Sequence, residues 1–384
     1  MKRKLINIFI LIIFALTNGK LIGENIDPYI KKFSKKWDKL YMYPSKKNVI
    51  ATFNIMNYKT LSNQFVYKFN YNLKKIKCDE GFSDCYYCLW ENGVGSFSLL
   101  AMEAYSGMEE AIRLYFKLYI LADKQKYRDE IIFVLGNLIR INPELFLKEA
   151  DYLLKSENRL KEKIFKEILT RFTPHYKNNQ EYELFEIKER IKAIKSVKDR
   201  KYEKTKNRCL KLLGEKEKDL MKIVKDVKIE DIIKFIDKET PQPSDKYYPL
   251  MGKEVYSGNR AIFPLFFKKL NNIDGDQPGL PIIFSNLIRI NPKLFLEELN
   301  KCKNLRNRFI EKVIFTDVGY YVDNPNLRLR EMKLRRRSLE RILDEKLLKL
   351  RDECIYILKK TEEELRNVIK EYESDPELRK LIHN

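Results

Sequence analysis

The apolar positions of this chain fall into blocks, and two of those blocks are nearly the same. Residues 131–141 read IIFVLGNLIRI and residues 280–290 read LPIIFSNLIRI. Either run alone fits a buried strand or a buried helix. Length decides for helix, because the first pattern extends from about Tyr127 to Ile141. Each run then meets Asn-Pro, at Asn142-Pro143 and Asn291-Pro292. Asn is a favoured N-cap, since its side-chain oxygen accepts from the free amides of a first turn. Pro at the first helical position gives up no intrahelical hydrogen bond. The pattern therefore predicts a helix, a tight corner and a second helix, twice. The second helix carries Leu145, Phe146, Leu153 and Leu154 in one case and Leu294, Phe295 and Leu299 in the other.

The likeness extends beyond the corner. Residues 137–149 (NLIRINPELFLKE) and 286–298 (NLIRINPKLFLEE) agree at eleven of thirteen positions. Tyr105-Ser106-Gly107 recurs as Tyr256-Ser257-Gly258, and Ala111-Ile112 as Ala261-Ile262. Self-similarity of this kind marks an internal duplication. Ser106 and Ser257 are read as N-caps of helices starting at Gly107 and Gly258. Residues 160–172 carry Ile164, Phe165, Ile168, Leu169 and Phe172 at helical spacing, with 309–315 as the counterpart. Residues 181–197 carry Leu184, Ile187, Ile191 and Ile194, and their counterpart begins near Leu327.

Each copy holds about five helices over about 95 residues. In pattern this resembles an α-solenoid of the HEAT or armadillo kind, whose single repeats run ~40–47 residues. The expected fold is all-α: two copies of a multi-helix unit in such an array, a long C-terminal helix and an irregular N-terminal cap. The expected segments are 1–19 (signal peptide), 20–97 (cap with a cysteine cluster), 98–200 (first unit), 201–249 (charged helical linker), 250–345 (second unit) and 346–384 (continuation of the C-terminal helix).

The C-terminal helix is expected to run unbroken to about Tyr372. Leu343, Leu347, Leu350, Cys354, Ile357, Thr361, Leu365, Val368 and Tyr372 form a near-heptad seam. A seam of this kind serves either a dimeric coiled coil or a strap along the chain's own helices, and Cys354 and Thr361 at seam positions favour the strap. At its start Arg328, Arg330, Arg335, Arg336 and Arg337 crowd together with Lys333 and Arg341. Leu327, Leu329, Met332, Leu334 and Leu339 interrupt them, so the expectation is apolar residues inward and arginine stems outward. The five arginines are candidate anion contacts, because the guanidinium fork suits phosphate and carboxylate.

Charge changes the picture of partners. The 384-residue chain has 76 Lys and Arg against 55 Asp and Glu, a formal net charge of +21. Such an excess points to nucleic acid in a cytoplasmic protein. Here Lys2-Arg3-Lys4 precedes a 12-residue apolar run, Leu5 to Leu16, interrupted by Asn7. That is the order of a signal peptide, and the run is short of the ~17–25 residues of a membrane span. The expectation is an exported protein, periplasmic or secreted, with no transmembrane span in the mature chain. Export moves the expected partner from nucleic acid to a protein or an anionic envelope polymer.

In an oxidising compartment Cys78, Cys85 and Cys88 are disulfide candidates. Cys85 and Cys88 have redox-motif spacing without a strand-to-helix context. A zinc site needs four ligands as a rule, and His175 and His383 lie far from these three cysteines in sequence. No metal or cofactor is expected. The chain has no phosphate loop, no GxSxG elbow and no HExxH. The expected role is a binding or scaffold protein and not an enzyme. The alternatives are a periplasmic inhibitor of the immunity type and a carboxylate-dependent enzyme acting on envelope material.

Overall fold

The computed structural model describes residues 99–121, 125–154, 159–171, 179–224, 227–239, 248–271, 279–301 and 325–374. The expected signal peptide, the N-terminal cap, Cys78, Cys85, Cys88, His175, Cys302, His383 and the 309–315 segment lie outside the described residues. Within them every regular element is helical and there is no strand. None of these helices is long and apolar enough to cross a membrane.

Around the first copy of the repeated sequence lie α1 (Leu99–Tyr105), α2 (Glu109–Leu121), α3 (Gln125–Ile141), α4 (Pro143–Leu154), α5 (Arg159–Thr170) and α6 (Gln180–Ser196). Between the two copies lie α7 (Glu203–Met221) and α8 (Ile229–Glu239). Around the second copy lie α9 (Tyr248–Tyr256), α10 (Phe263–Asn271), α11 (Gly279–Ile290), α12 (Pro292–Lys301) and α13 (Pro325–Glu340), and α14 (Leu348–Ser374) ends the described residues.

The Asn-Pro corners work through local chemistry. Asn142 N–H donates to the Leu138 carbonyl at 2.8 Å, closing α3, while its Oδ1 accepts from the Leu145 amide at 3.3 Å, opening α4. Asn291 does the same with Leu287 at 2.8 Å and Leu294 at 3.1 Å. One residue thus satisfies orphan groups of two helix ends. The corner folds α4 back on α3, where Phe146, Leu147 and Ala150 are buried, and α12 back on α11, where Leu294, Phe295, Leu296 and Leu299 are buried.

Ser106 and Ser257 do not start helices. Gly107 and Gly258 have φ of 97° and 79°, a left-handed conformation that ends α1 and α9. Met108 N–H returns to the Glu103 carbonyl at 2.9 Å, and Asn259 N–H to Glu254 at 3.0 Å. The Ser-Gly pair is a C-terminal stop because only glycine takes this φ without strain. Asn259 then begins the next element, its side chain accepting from the Ala261 amide at 3.3 Å.

The C-terminal helix is not continuous. It breaks between Glu340 and the 3-10 turn Glu345–Leu347 that leads into α14. Asp344 is extended, with φ −69° and ψ 112°, and its carboxylate accepts from the Lys346 amide at 3.2 Å. Lys293 of α12 holds Asp344 at 3.0 Å, and Arg351 donates to the Ile342 carbonyl at 2.7 Å. Leu343, the first residue of the apparent heptad, is 80% exposed at this break. Beyond it α14 folds back on α13 and α12, burying Leu350, Cys354, Leu358, Thr361 and Leu365.

The apolar core draws on both repeats. In the second, Phe266, Phe284 and Phe295 pack ring against ring, with centroids 5.7 and 4.9 Å apart. At the meeting of the two repeats Tyr105 faces Tyr256 at 6.1 Å. Each tyrosine hydroxyl accepts from an asparagine of the repeated run, Asn137 at 3.1 Å and Asn286 at 3.2 Å.

Candidate functional site

Two buried ionic centres flank that tyrosine pair. Each is organised by the single arginine inside the repeated apolar run. Arg140, on α3, grips Glu254 of α9 with two hydrogen bonds of 2.7 and 2.8 Å and reaches Glu186 of α6 at 2.9 Å. Glu186 also accepts from Arg190 at 2.9 Å, one turn along α6, and from Lys253 of α9. Tyr182 and Asn259 each donate to Glu254 at 2.9 Å. The Lys253 ammonium lies 4.7 Å from the centre of the Tyr182 ring.

The second centre has the same plan. Arg289, on α11, donates to Glu331 of α13 at 3.0 Å and to Glu103 of α1 at 3.2 Å. Arg335 binds Glu331 at 3.0 Å, one turn along α13, and Arg330 lies 2.7 Å from Glu103. Glu103 and Glu254 each stand two residues before the paired tyrosines. Each arginine therefore holds one carboxylate of its own repeat and one of the other. Reciprocity of this sort is what a two-fold axis imposes on the subunits of a dimer.

The centres differ in their third cation. Lys253 of α9 fills that role in the first, where the matching residue of α1 is Met102. Arg330 fills it in the second, where the matching residue of α6 is Phe185. Phe185 instead lies under the Arg140 guanidinium, 5.6 Å from ring centre to charge. The floor differs as well. A Cβ on Gly136 would come within 2.4 Å of Arg190 Nη2, whereas Ser285, its counterpart, accepts from Arg335 at 3.3 Å.

Protonation follows from this packing. Burial alone would raise the Glu103 carboxyl, but Arg289 and Arg330 outweigh it and hold the group down at about 2. For Glu186 the same burial penalty is overcome by Lys253, Arg140 and Arg190, and its carboxyl also falls well below the ordinary range. Glu254 and Glu331 are lowered likewise, against burial, by Arg140 and Lys253 and by Arg289 and Arg335. Burial pushes the Lys253 ammonium down to about 8 despite its two carboxylate neighbours. Burial raises the Tyr105 and Tyr256 hydroxyls, so both stay neutral. At neutral pH all four carboxylates are ionised, and every one is held by cations. Such a site fastens helices together; it does not present a base to a substrate.

The arginine cluster read from the sequence divides. Arg335 is fully buried, so its stem does not run outward; Glu331 and Ser285 draw it into the second centre. Arg330 points to Glu103, and Arg336 donates to Glu362 of α14 and to Glu340, both at 2.6 Å. Arg328 is half-buried, and Arg337 remains exposed. Asn142, Pro143, Asn291 and Pro292 sit at the two corners. Cys209 and Cys354 are buried and unbridged, and burial lifts the Cys209 thiol to about 12, which leaves it unreactive. Among the described residues no group of three or more His, Cys, Asp or Glu is placed to hold a metal ion.

No protein-family model, curated protein or solved structure matches this chain.

Proposed function

We propose that this is an exported helical-repeat binding protein whose basic surface engages an anionic envelope component or an acidic protein partner. The observation that carries the reading is the partition of charge. Among the described residues seven carboxylates are buried (Glu103, Glu149, Glu186, Glu254, Glu298, Glu331 and Glu362) against five cations (Arg140, Arg190, Lys253, Arg289 and Arg335). The interior thus takes up more acid than base, and the rest of the chain is more basic than the +21 of the whole. An excess of that size attracts anions over a Debye length and draws them to the surface.

The architecture we propose to go with it is a duplicated unit whose helix pairs stack in the α-solenoid manner of HEAT and armadillo arrays. The matched contacts of Arg140 and Arg289 support duplication. They also support an array closed on itself, because α1 of the first repeat touches α11 of the second.

The test is capture of partners by the purified chain from envelope extract at low and at high salt. A partner retained at low salt and released at high salt is the expected result. Partners that stay bound at high salt, or none at either, would remove the charge argument.

A further inference from the structure

The helix α7, between the two copies, carries a basic surface feature. Its inner face buries Thr205, Cys209, Leu213 and Leu220. Turning the helical wheel by half a turn brings out Lys204, Asn207, Lys211, Gly214, Lys218 and Lys222. Lys204, Lys211 and Lys218 stand seven residues apart, so they rise ~10.5 Å from one to the next along a single line. All three are exposed, and none makes a hydrogen bond or ion pair among the described residues. Lys222 extends the line and pairs with Asp219 at 2.8 Å.

Gly214 sits in the middle of this ridge. Glycine is a poor residue for a helix interior, and packing does not require it here: a Cβ at this position would meet nothing within 4 Å. By contrast Gly136 makes room for Arg190. A glycine on the solvent side of a lysine ridge leaves the helix backbone open to close approach by a ligand. The flanks of the ridge are acidic, with Glu203 on one side and Glu215 and Asp219 on the other, all exposed. A flat anionic surface would meet those carboxylates; a single extended chain laid along the ridge would not.

We propose that the outer ridge of α7 is a docking track for a linear phosphate-bearing polymer, with Lys204, Lys211 and Lys218 contacting successive phosphates across Gly214. Lysine suits this role, being a point charge on a flexible stem that follows a mobile chain without demanding one geometry. The inference rests on the anion-binding reading above and assigns it a place.

The probe is long-chain inorganic polyphosphate, titrated against the full chain at several salt concentrations. Vesicles of phosphatidylglycerol serve as the flat alternative. K204Q/K211Q/K218Q is compared with a control triple on α14, K349Q/K359Q/K360Q, which removes the same charge from exposed positions. The ridge triple is expected to weaken polyphosphate binding by about tenfold or more and to lower the salt slope by about 2, at ~0.7 per phosphate contact. The control is expected to change affinity by less than about threefold. Gly214→Leu is expected to raise the thermal midpoint while weakening polyphosphate, an opposition that a purely structural glycine would not produce. Equal loss in both triples, or tight binding to vesicles alone, would overturn the ridge and leave the anion-binding reading standing. Binding to neither probe would overturn the ridge together with the anionic-envelope form of the reading above.

Discussion

Glu103 and Arg289 are separated by 186 residues and meet at 3.2 Å inside the protein. Glu103 belongs to the first described helix, and Arg289 lies in the last turn of α11. Their contact holds the beginning of one repeat against the middle of the other. Arg140 and Glu254 make the equivalent contact in the opposite direction.

Removing Arg289 should therefore loosen the junction between repeats. Arg289→Met leaves Glu103 and Glu331 buried, each with fewer cations, and taking one partner from a buried ion network costs about 3–5 kcal/mol. Chemical unfolding monitored by circular dichroism should show that loss. Adding Glu103→Gln should restore part of it, because with Arg289 gone the buried Glu103 carboxylate keeps only Arg330 as a cation. A cost under about 1 kcal/mol for the single change would mean that the centre is not what joins the repeats.

Acid should act on the same contact. Glu103 is held at about 2, below its ordinary 4.5, so the folded form favours the ionised carboxylate. The stability this brings is fully present above pH 4.5 and drains away as pH falls toward 2. The loss is on the order of 3 kcal/mol. Glu103→Gln should flatten the unfolding free energy across that window relative to the wild type. An unchanged acid limb in the variant would place the acid sensitivity elsewhere.

The corners could be read from the sequence and the centres could not. Asn142-Pro143 states its structure within four residues, since the cap, the proline and the amide it serves are neighbours. Glu103 and Arg289 give no such local signal. A trace was present nonetheless: Arg140 and Arg289 each interrupt an apolar run, at the same place in both repeats, and a charge so placed needs a buried partner. Ser106-Gly107 points two ways, because serine beside glycine fits a helix start by composition and a helix stop by backbone angle, and the angle decides. The C-terminal heptad hid its own break. Asp344 lies between two of its leucines, and the capping power of that aspartate outweighs the apolar spacing.

Gly136→Ala offers a sharp packing test. The added methyl would sit 2.4 Å from Arg190 Nη2, and Arg190 cannot swing away freely because it also holds Glu186 at 2.9 Å and the Leu169 carbonyl at 2.7 Å. Overpacking of this kind costs about 1–3 kcal/mol. Helix propensity pulls the other way by about 1 kcal/mol. The net expectation is destabilisation, whereas Gly214→Ala, with open space around it, should gain the propensity term. If both alanines stabilise, Arg190 does not occupy the pocket that Gly136 leaves.

Lys253 is a cation whose removal should be tolerated, because Arg140 bridges both carboxylates of its centre without it. Its centre holds three cations, Arg140, Arg190 and Lys253, for two carboxylates, Glu186 and Glu254. Lys253→Met leaves two against two, with Tyr182 and Asn259 still donating to Glu254. The matching position in the first repeat is already Met102, which is buried. The variant should unfold within about 1 kcal/mol of the wild type at pH 7, where removing a needed partner would cost about 3–5 kcal/mol. Its pH profile should also change shape. The Lys253 ammonium titrates at about 8 in the folded protein against 10.5 when free. Below pH 8 both states hold the proton, and folding carries the full cost of burying it. Between about 8 and 10.5 only the unfolded chain holds it, so the wild type should gain stability as pH rises through that window. Lys253→Met should lack that rise. Parallel profiles for the two proteins from pH 8 to 10.5 would show that the ammonium is not the strained member of the centre.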